Sequence, residues 1–215
     1  MSRRAASPRT LVLLSGTLML GACGGSLLQS KLDPPSIYLL SAHPGARGAA
    51  IAADLTVLKP EVRAGLRTDR IAALYPDRRL DYFAGARWSA PLDEVIQQLA
   101  IDSFRAHANL RTVVGDASTL APANWLELEV VDFQAEYAAG GGAPTIRAGF
   151  VARLEDARGR RVLQRFEAHA TRKAADNRLA AIIAAYEQAA DTALDEIVAA
   201  TARALAGNRR TRAGH

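Results

Sequence analysis

Apolar and polar residues alternate across 145–155: Ile146, Ala148, Phe150, Ala152 and Leu154 share one parity, while Arg147, Arg153 and Glu155 share the other. A period of two predicts a strand with one buried face. In 125–137 the apolar positions are first even (Leu126, Leu128, Val130) and then odd (Val131, Phe133, Ala135, Tyr137). That switch predicts a bulge or a change of facing partner within one long strand. Val162, Phe166, Ala168 and Ala170 line a third strand. The segment AAGGGAP (138–144) supplies a flexible hairpin loop, and Asp156-Ala157-Arg158-Gly159 supplies the next turn. Together they predict an antiparallel meander covered on one side.

The first half of the chain reads as shorter pieces. IYLL (37–40) is β-like, and Ile51, Ala53, Leu55 and Val57 give a strand closed by Pro60. RIAALYP (70–76) and RLDYFAG (79–85) flank a turn at Pro76-Asp77, and RTVVG (111–115) is a further strand. Ser89 and Pro91 are helix-start residues, predicting a helix from about Pro91 to Ala108 with Leu92, Val95, Ile96 and Leu99 on its apolar stripe. A second helix is expected from about Asp176 to Ala206, with Gly207 as its C-cap. At roughly 30 residues it would be about 45 Å long, so it bends, breaks or reaches towards a partner. The expected fold class is α/β: a mixed, largely antiparallel sheet packed against two main helices, as one compact domain over 36–207. No internal repeat is evident.

The first 22 residues follow a different rule. Arg3, Arg4 and Arg9 precede an apolar run from Leu11 to Leu20, and small residues follow it. These are the three parts of a cleaved secretory signal. The run is about half the ~20 apolar residues that a membrane-spanning helix needs. It ends in Leu20-Gly21-Ala22-Cys23, which resembles the bacterial lipobox. The small side chains admit a peptidase, and the thiol of Cys23 takes up diacylglycerol by thioether linkage. The new amino group of Cys23 can then be acylated, for example by palmitate. The alternatives are an ordinary signal with an incidental cysteine, or a core thiol. Cys23 is the sole cysteine, so a disulfide within the chain is excluded. Gly24 follows the cysteine where an inner-membrane retention signal would have aspartate, which favours the outer membrane. Residues 23–35 are read as a lipidated, flexible tether, and 208–215 as a disordered basic tail.

Charge narrows the function. The net charge of +5 loses Arg3, Arg4 and Arg9 with the signal; 24 basic residues then face 22 acidic ones, a mature charge of +2. Arg209, Arg210 and Arg212 lie in the tail, so the body is near neutral. Nucleic-acid binding needs a clustered basic surface, and none is evident. His43, His107, His169 and His215 match no metal-ligand spacing, so no metal site is expected. No nucleophile elbow is present, and Gly140-Gly141-Gly142 lies between two strand patterns rather than at a phosphate loop. Glu127 and Glu129 read as cross-strand partners of arginines rather than as a carboxylate dyad. The chain is expected not to be an enzyme and to use no cofactor beyond the acyl chains on Cys23.

The order of motifs resembles a known family. Tyr38-Leu39-Leu40, the strand LTVLKP (55–60), Leu66-Arg67-Thr68-Asp69-Arg70-Ile71-Ala72, Leu80-Asp81-Tyr82-Phe83 and Ala86-Arg87-Trp88-Ser89-Ala90-Pro91-Leu92 follow one another. This is similar to the ABC-type transport auxiliary lipoproteins, Mce-associated and Pqi-type outer-membrane lipoproteins among them. The Asp-Arg-Ile segment and the Tyr-Phe…Arg-Trp…Pro-Leu run are its most specific parts; the C-terminal half matches by pattern. The resemblance implies an α/β sandwich anchored at the periplasmic face of the outer membrane. It also implies partners: an Mce-domain protein with a permease and an ATPase that move phospholipid or other apolar molecules between membranes. Self-association stays open. Trp88 reads first as a core anchor; the alternative makes Tyr38, Arg87 and Trp88 partner contacts. An alternative function is an outer-membrane scaffold for envelope assembly or secretion unrelated to Mce transport. A periplasmic hydrolase is a third reading, for which the sequence supplies no nucleophile.

Overall fold

A computed structural model describes residues 34–120, 122–158 and 161–213, with side chains to Asn208, and these belong to a unit that begins at Pro34. The signal, the lipobox Leu20-Gly21-Ala22, Cys23 and most of the tether lie outside the described residues. The elements run β1 (Ser36–Tyr38), β2 (Ile51–Val57), β3 (Glu61–Val62), β4 (Arg70–Leu74), β5 (Leu80–Trp88), α1 (Leu92–His107), β6 (Leu110–Gly115), β7 (Asn124–Glu136), β8 (Thr145–Asp156), β9 (Arg161–Lys173) and α2 (Leu179–Ala213).

The 13-residue β7 is the spine of the sheet. One of its edges pairs antiparallel with β8 along nearly its whole length, and β8 pairs antiparallel with β9. The other edge carries three short parallel strands in succession: β2 at Asn124–Leu126, β3 at Glu129–Val130 and β4 at Ala135–Glu136. Beyond these, β6 pairs parallel with β2, β5 antiparallel with β4, and β1 parallel with β5. The sheet is therefore mixed and largely antiparallel, as expected, and it is open. The register of β7 and β8 shifts between Val130 and Asp132, where the apolar parity switches. The bulge puts Leu126, Leu128 and Val130 and then Phe133 and Ala135 on the same buried face.

A second register shift, between Leu154 and Glu155 of β8, was not foreseen. It places Val162 opposite the outward-facing Glu155, so Val162 is 52 % exposed instead of lining the core. A one-residue slip sends a side chain to the other face of a sheet. The hairpin 138–144 turns through Gly141 and Gly142, both with positive φ, a conformation that costs glycine nothing.

Both helices lie on the buried face. α2 covers β8 and β9 and also touches α1, while α1 packs against β6. Ala148, Ala152, Ala168 and Ala170 of the sheet and Ala189, Ala190 and Ala193 of α2 are all buried, and their small side chains let helix and sheet approach closely. Two expectations at the helix ends change. Ser89 does not cap α1: Pro91 takes the N-cap position with no side-chain cap, and Leu92 N–H donates to the Thr68 carbonyl at 3.1 Å. Gly207 does not end α2, which continues through the residues read as a tail to Ala213. With 35 residues, α2 is about 52 Å long. Among the described residues no helix is long and apolar enough to cross a membrane.

Candidate functional site

The motif residues converge where β1, β4 and β5 meet the start of α1. In the parallel β1–β5 pair, Ile37 stands beside Arg87 and Tyr38 beside Trp88. Strand alternation then sorts them: Ile37 and Arg87 are exposed, and Trp88 points into the core. Arg87 Nη1 donates to Asp69 Oδ2 at 2.7 Å, and Trp88 N–H donates to the Asp69 carbonyl at 2.7 Å. The Arg87 guanidinium holds the Asp69 carboxyl below the usual carboxylate range. Ser89 N–H donates to the Tyr38 carbonyl at 2.9 Å, tying β1 to the helix start. The Arg70 guanidinium lies 4.0 Å from the centroid of the Tyr82 ring, and Tyr82 Oη donates to the Gly65 carbonyl at 2.9 Å.

These contacts sort the three residues read as partner contacts. Trp88 is 2 % exposed and touches Phe133 and Tyr186, so its burial supports the core-anchor reading. Tyr38 is half-buried against the core. Arg87 remains on the surface, next to Ile37 at 54 % exposure and close to Leu39 at 66 %. Among the described residues β1 is an edge strand, so this surface also presents backbone groups that no described strand pairs. Across the sheet, the outer face of the meander is charged. Arg153 is ion-paired with Glu127, its cross-strand neighbour, as the strand reading expects. Lys59, Glu61, Glu129 and Arg165 join this pair around a groove of about 300 Å³.

A second cluster was not legible in the sequence. His43 lies in the β1–β2 connection, His107 ends α1, and Asp191 and Asp195 stand one turn apart on α2. The two imidazole centroids are 4.5 Å apart. His107 Nδ1 is 2.5 Å from Asp195 Oδ1, and its Nε2 is 2.9 Å from the His43 carbonyl. His43 Nδ1 is 3.4 Å from Asp191 Oδ2, and its Nε2 is 3.5 Å from Asp195 Oδ2. Burial, reinforced by Asp195, raises Asp191 above the usual carboxylate range, while His43 opposes the shift. Glu187, one turn before Asp191, is raised by burial and by Asp191. The sequence signal available was the row Glu187, Asp191, Asp195 at intervals of four on an alanine-rich helix. His43 and His107, separated by 64 positions, carry no spacing that would place them together.

The fold has solved counterparts. Protein XCC0632 from Xanthomonas campestris superposes with a TM-score of 0.71 over 82 % of this chain and 99 % of its own, at 22 % identity. The hypothetical protein CT253 from Chlamydia trachomatis gives a TM-score of 0.50 over 73 % and 99 %, at 13 % identity. At such identities the likeness is one of fold. No curated protein matches the chain by sequence. The family model described as the ABC-type transport auxiliary lipoprotein component matches residues 38–198, from Tyr38 through most of α2 and across both clusters. The chain belongs to the family of ABC-type transport auxiliary lipoprotein components.

Proposed function

We propose that the chain is a lipid-anchored, periplasm-facing accessory subunit of an ABC/Mce-type transport system, held in the outer membrane through acylated Cys23. It works by docking, without catalysis, beside an Mce-domain protein, its permease and its ATPase, which move phospholipid or other apolar molecules between the membranes. Family membership over 38–198 carries this reading. The Ile37–Arg87 surface supports it: an open strand edge, an exposed apolar side chain and a positioned guanidinium lie together where the chain enters the domain. That combination suits strand addition by a protein partner that brings a carboxylate. The surrounding motif residues hold the surface in shape.

The test is gentle solubilisation of the acylated protein from membranes, followed by affinity capture and identification of co-purifying proteins and lipids. Recovery of an Mce-domain subunit is expected, reduced by Arg87→Glu with folding intact. Repeated recovery of only cell-wall synthases or secretion components would overturn the transport reading. Cys23→Ser is expected to leave the membrane fraction; retention at the wild-type level would remove the anchor from the argument.

A further inference from the structure

Among the described residues, His43, His107 and Asp195 bring two imidazoles and a carboxylate together. A neutral imidazole carries one N–H and one bare lone pair. The His43 carbonyl claims the hydrogen of His107 at Nε2, since a carbonyl can only accept. His107 Nδ1 faces Asp195 Oδ1, 2.5 Å away. His43 has a carboxylate beside each of its ring nitrogens. Two imidazoles and a carboxylate thus converge on one place, from three separate parts of the chain.

We propose that His43, His107 and Asp195 form a binding site for a divalent transition-metal ion of the zinc class, with Asp191 as an outer-sphere partner. One ligand atom from each of the three lies within 4.8 Å of the others. Ligands about 2.1 Å from a tetrahedral ion stand roughly 3.4 Å apart, so the His43 Nε2–Asp195 Oδ2 separation already fits, and a side-chain rotation opens the His107 Nδ1–Asp195 Oδ1 contact to admit the ion. Two imidazoles and one carboxylate are the donor set that zinc accepts, whereas calcium and magnesium require oxygen. The outer contacts are those that orient metal-bound histidines: His107 Nε2–H donates to a backbone carbonyl, and His43 Nδ1 faces Asp191.

The backbone is fitted to this geometry. A Cβ on Gly45 would fall 2.3 Å from His107 Cδ2 and 2.5 Å from its Nε2, so only glycine lets the loop lie against the ring. The His107 side chain is 13 % exposed, and the cluster opens on a cavity of about 520 Å³ bordered by Val198, Ala202 and Arg203. The fourth coordination position would face that cavity, leaving it to water or to an anionic group drawn by Arg203. An ion here would join the β1–β2 connection, the end of α1 and the middle of α2.

The test uses the full-length acylated protein in detergent, stripped by chelator and titrated with Zn²⁺ alone and with Co²⁺ alone. One equivalent is expected to bind, Co²⁺ giving the visible absorption of a tetrahedral nitrogen–oxygen site. At about 100 times the Kd, Zn²⁺ should raise the thermal midpoint by about 5–10 °C. His43→Gln, at a half-exposed position that folding tolerates, and His107→Gln should each abolish the cobalt spectrum. Asp191→Asn should weaken binding about 10-fold or more. His169→Gln, on the outer face of β9, should change nothing. Absence of a saturable one-to-one isotherm, or a cobalt spectrum that survives His43→Gln in a folded protein, would overturn the site and leave a cluster held by protons alone.

Discussion

Trp88 and Tyr186 meet edge to face, with ring centroids 5.3 Å apart and planes at 81°. The first belongs to the motif run before α1 and the second to α2. Phe133 of β7 completes the group, 5.1 Å from Tyr186 and 6.0 Å from Trp88. Edge-to-face geometry places the positive rim of one ring against the negative face of another. Tyr186 Oη donates to the Ala72 carbonyl at 2.6 Å, so the same residue ties α2 to β4. Trp88 thereby fastens the Ile37–Arg87 surface to the helix layer rather than serving as part of that surface.

Tyr186→Phe keeps the ring and removes a buried hydrogen bond. Urea unfolding is expected to show a loss of about 1–2 kcal/mol. Trp88→Ala removes the ring and leaves a cavity, and should cost about 3–5 kcal/mol. Equal losses for the two would mean that the hydroxyl, not ring packing, dominates.

The buried Tyr186 phenol also sets an alkaline limit. Burial pushes its pKa well above 10, because phenolate is poorly solvated in the core. The folded state therefore favours the neutral form. Its contribution is complete below the unfolded pKa of about 10 and is lost as pH rises towards the folded value. Stability measured between pH 9 and pH 11 should fall more steeply in the native chain than in Tyr186→Phe.

The Asp69–Arg87 pair acts at the acid end. Asp69 is held below its ordinary pKa by Arg87, so its contribution is present above about pH 4 and disappears as pH falls through the depressed value. Both side chains are partly exposed, so screening limits the effect to under about 1 kcal/mol. Asp69→Asn should lower stability by up to that amount at neutral pH, and the difference from the native chain should vanish as pH falls through the depressed value, which flattens the acid limb.

Gly45 and Gly48 offer a paired comparison. Gly45→Ala drives a methyl group into the His107 ring, which is held at both nitrogens, and should cost about 1–3 kcal/mol. A Cβ at Gly48 meets nothing within 4 Å, so Gly48→Ala should stay within about 0.5 kcal/mol by thermal unfolding.

The slip in β8–β9 can be read the same way. Val162→Gln is expected to change stability by less than about 0.5 kcal/mol, as for an exposed site. Leu154→Ala, on the buried face beside the slip, should cost about 2–5 kcal/mol.

The amino-acid sequence by itself determined the elements whose signals are local. Period-two alternation in Ile146–Leu154, the parity switch at Val130–Val131 and the apolar stripe of Leu92–Leu99 each reflect a face imposed within a few residues. Tertiary structure decided the rest. The two-residue strand Glu61–Val62 exists only because β7 offers a parallel edge, and its partners Glu129 and Val130 lie far along the chain. Val162 left the core because of a register shift, which depends on two strands and is written in neither alone. α2 ran past Gly207 because glycine weakens a helix by only about 1 kcal/mol, and a helix already docked over the sheet tolerates that loss. His43 and His107 came together through the β1–β2 connection and the end of α1, each seated against α2. Local periodicity sets the face a side chain favours; the pairing of distant segments sets what it meets there and, at a bulge such as the one beside Val162, which face it takes.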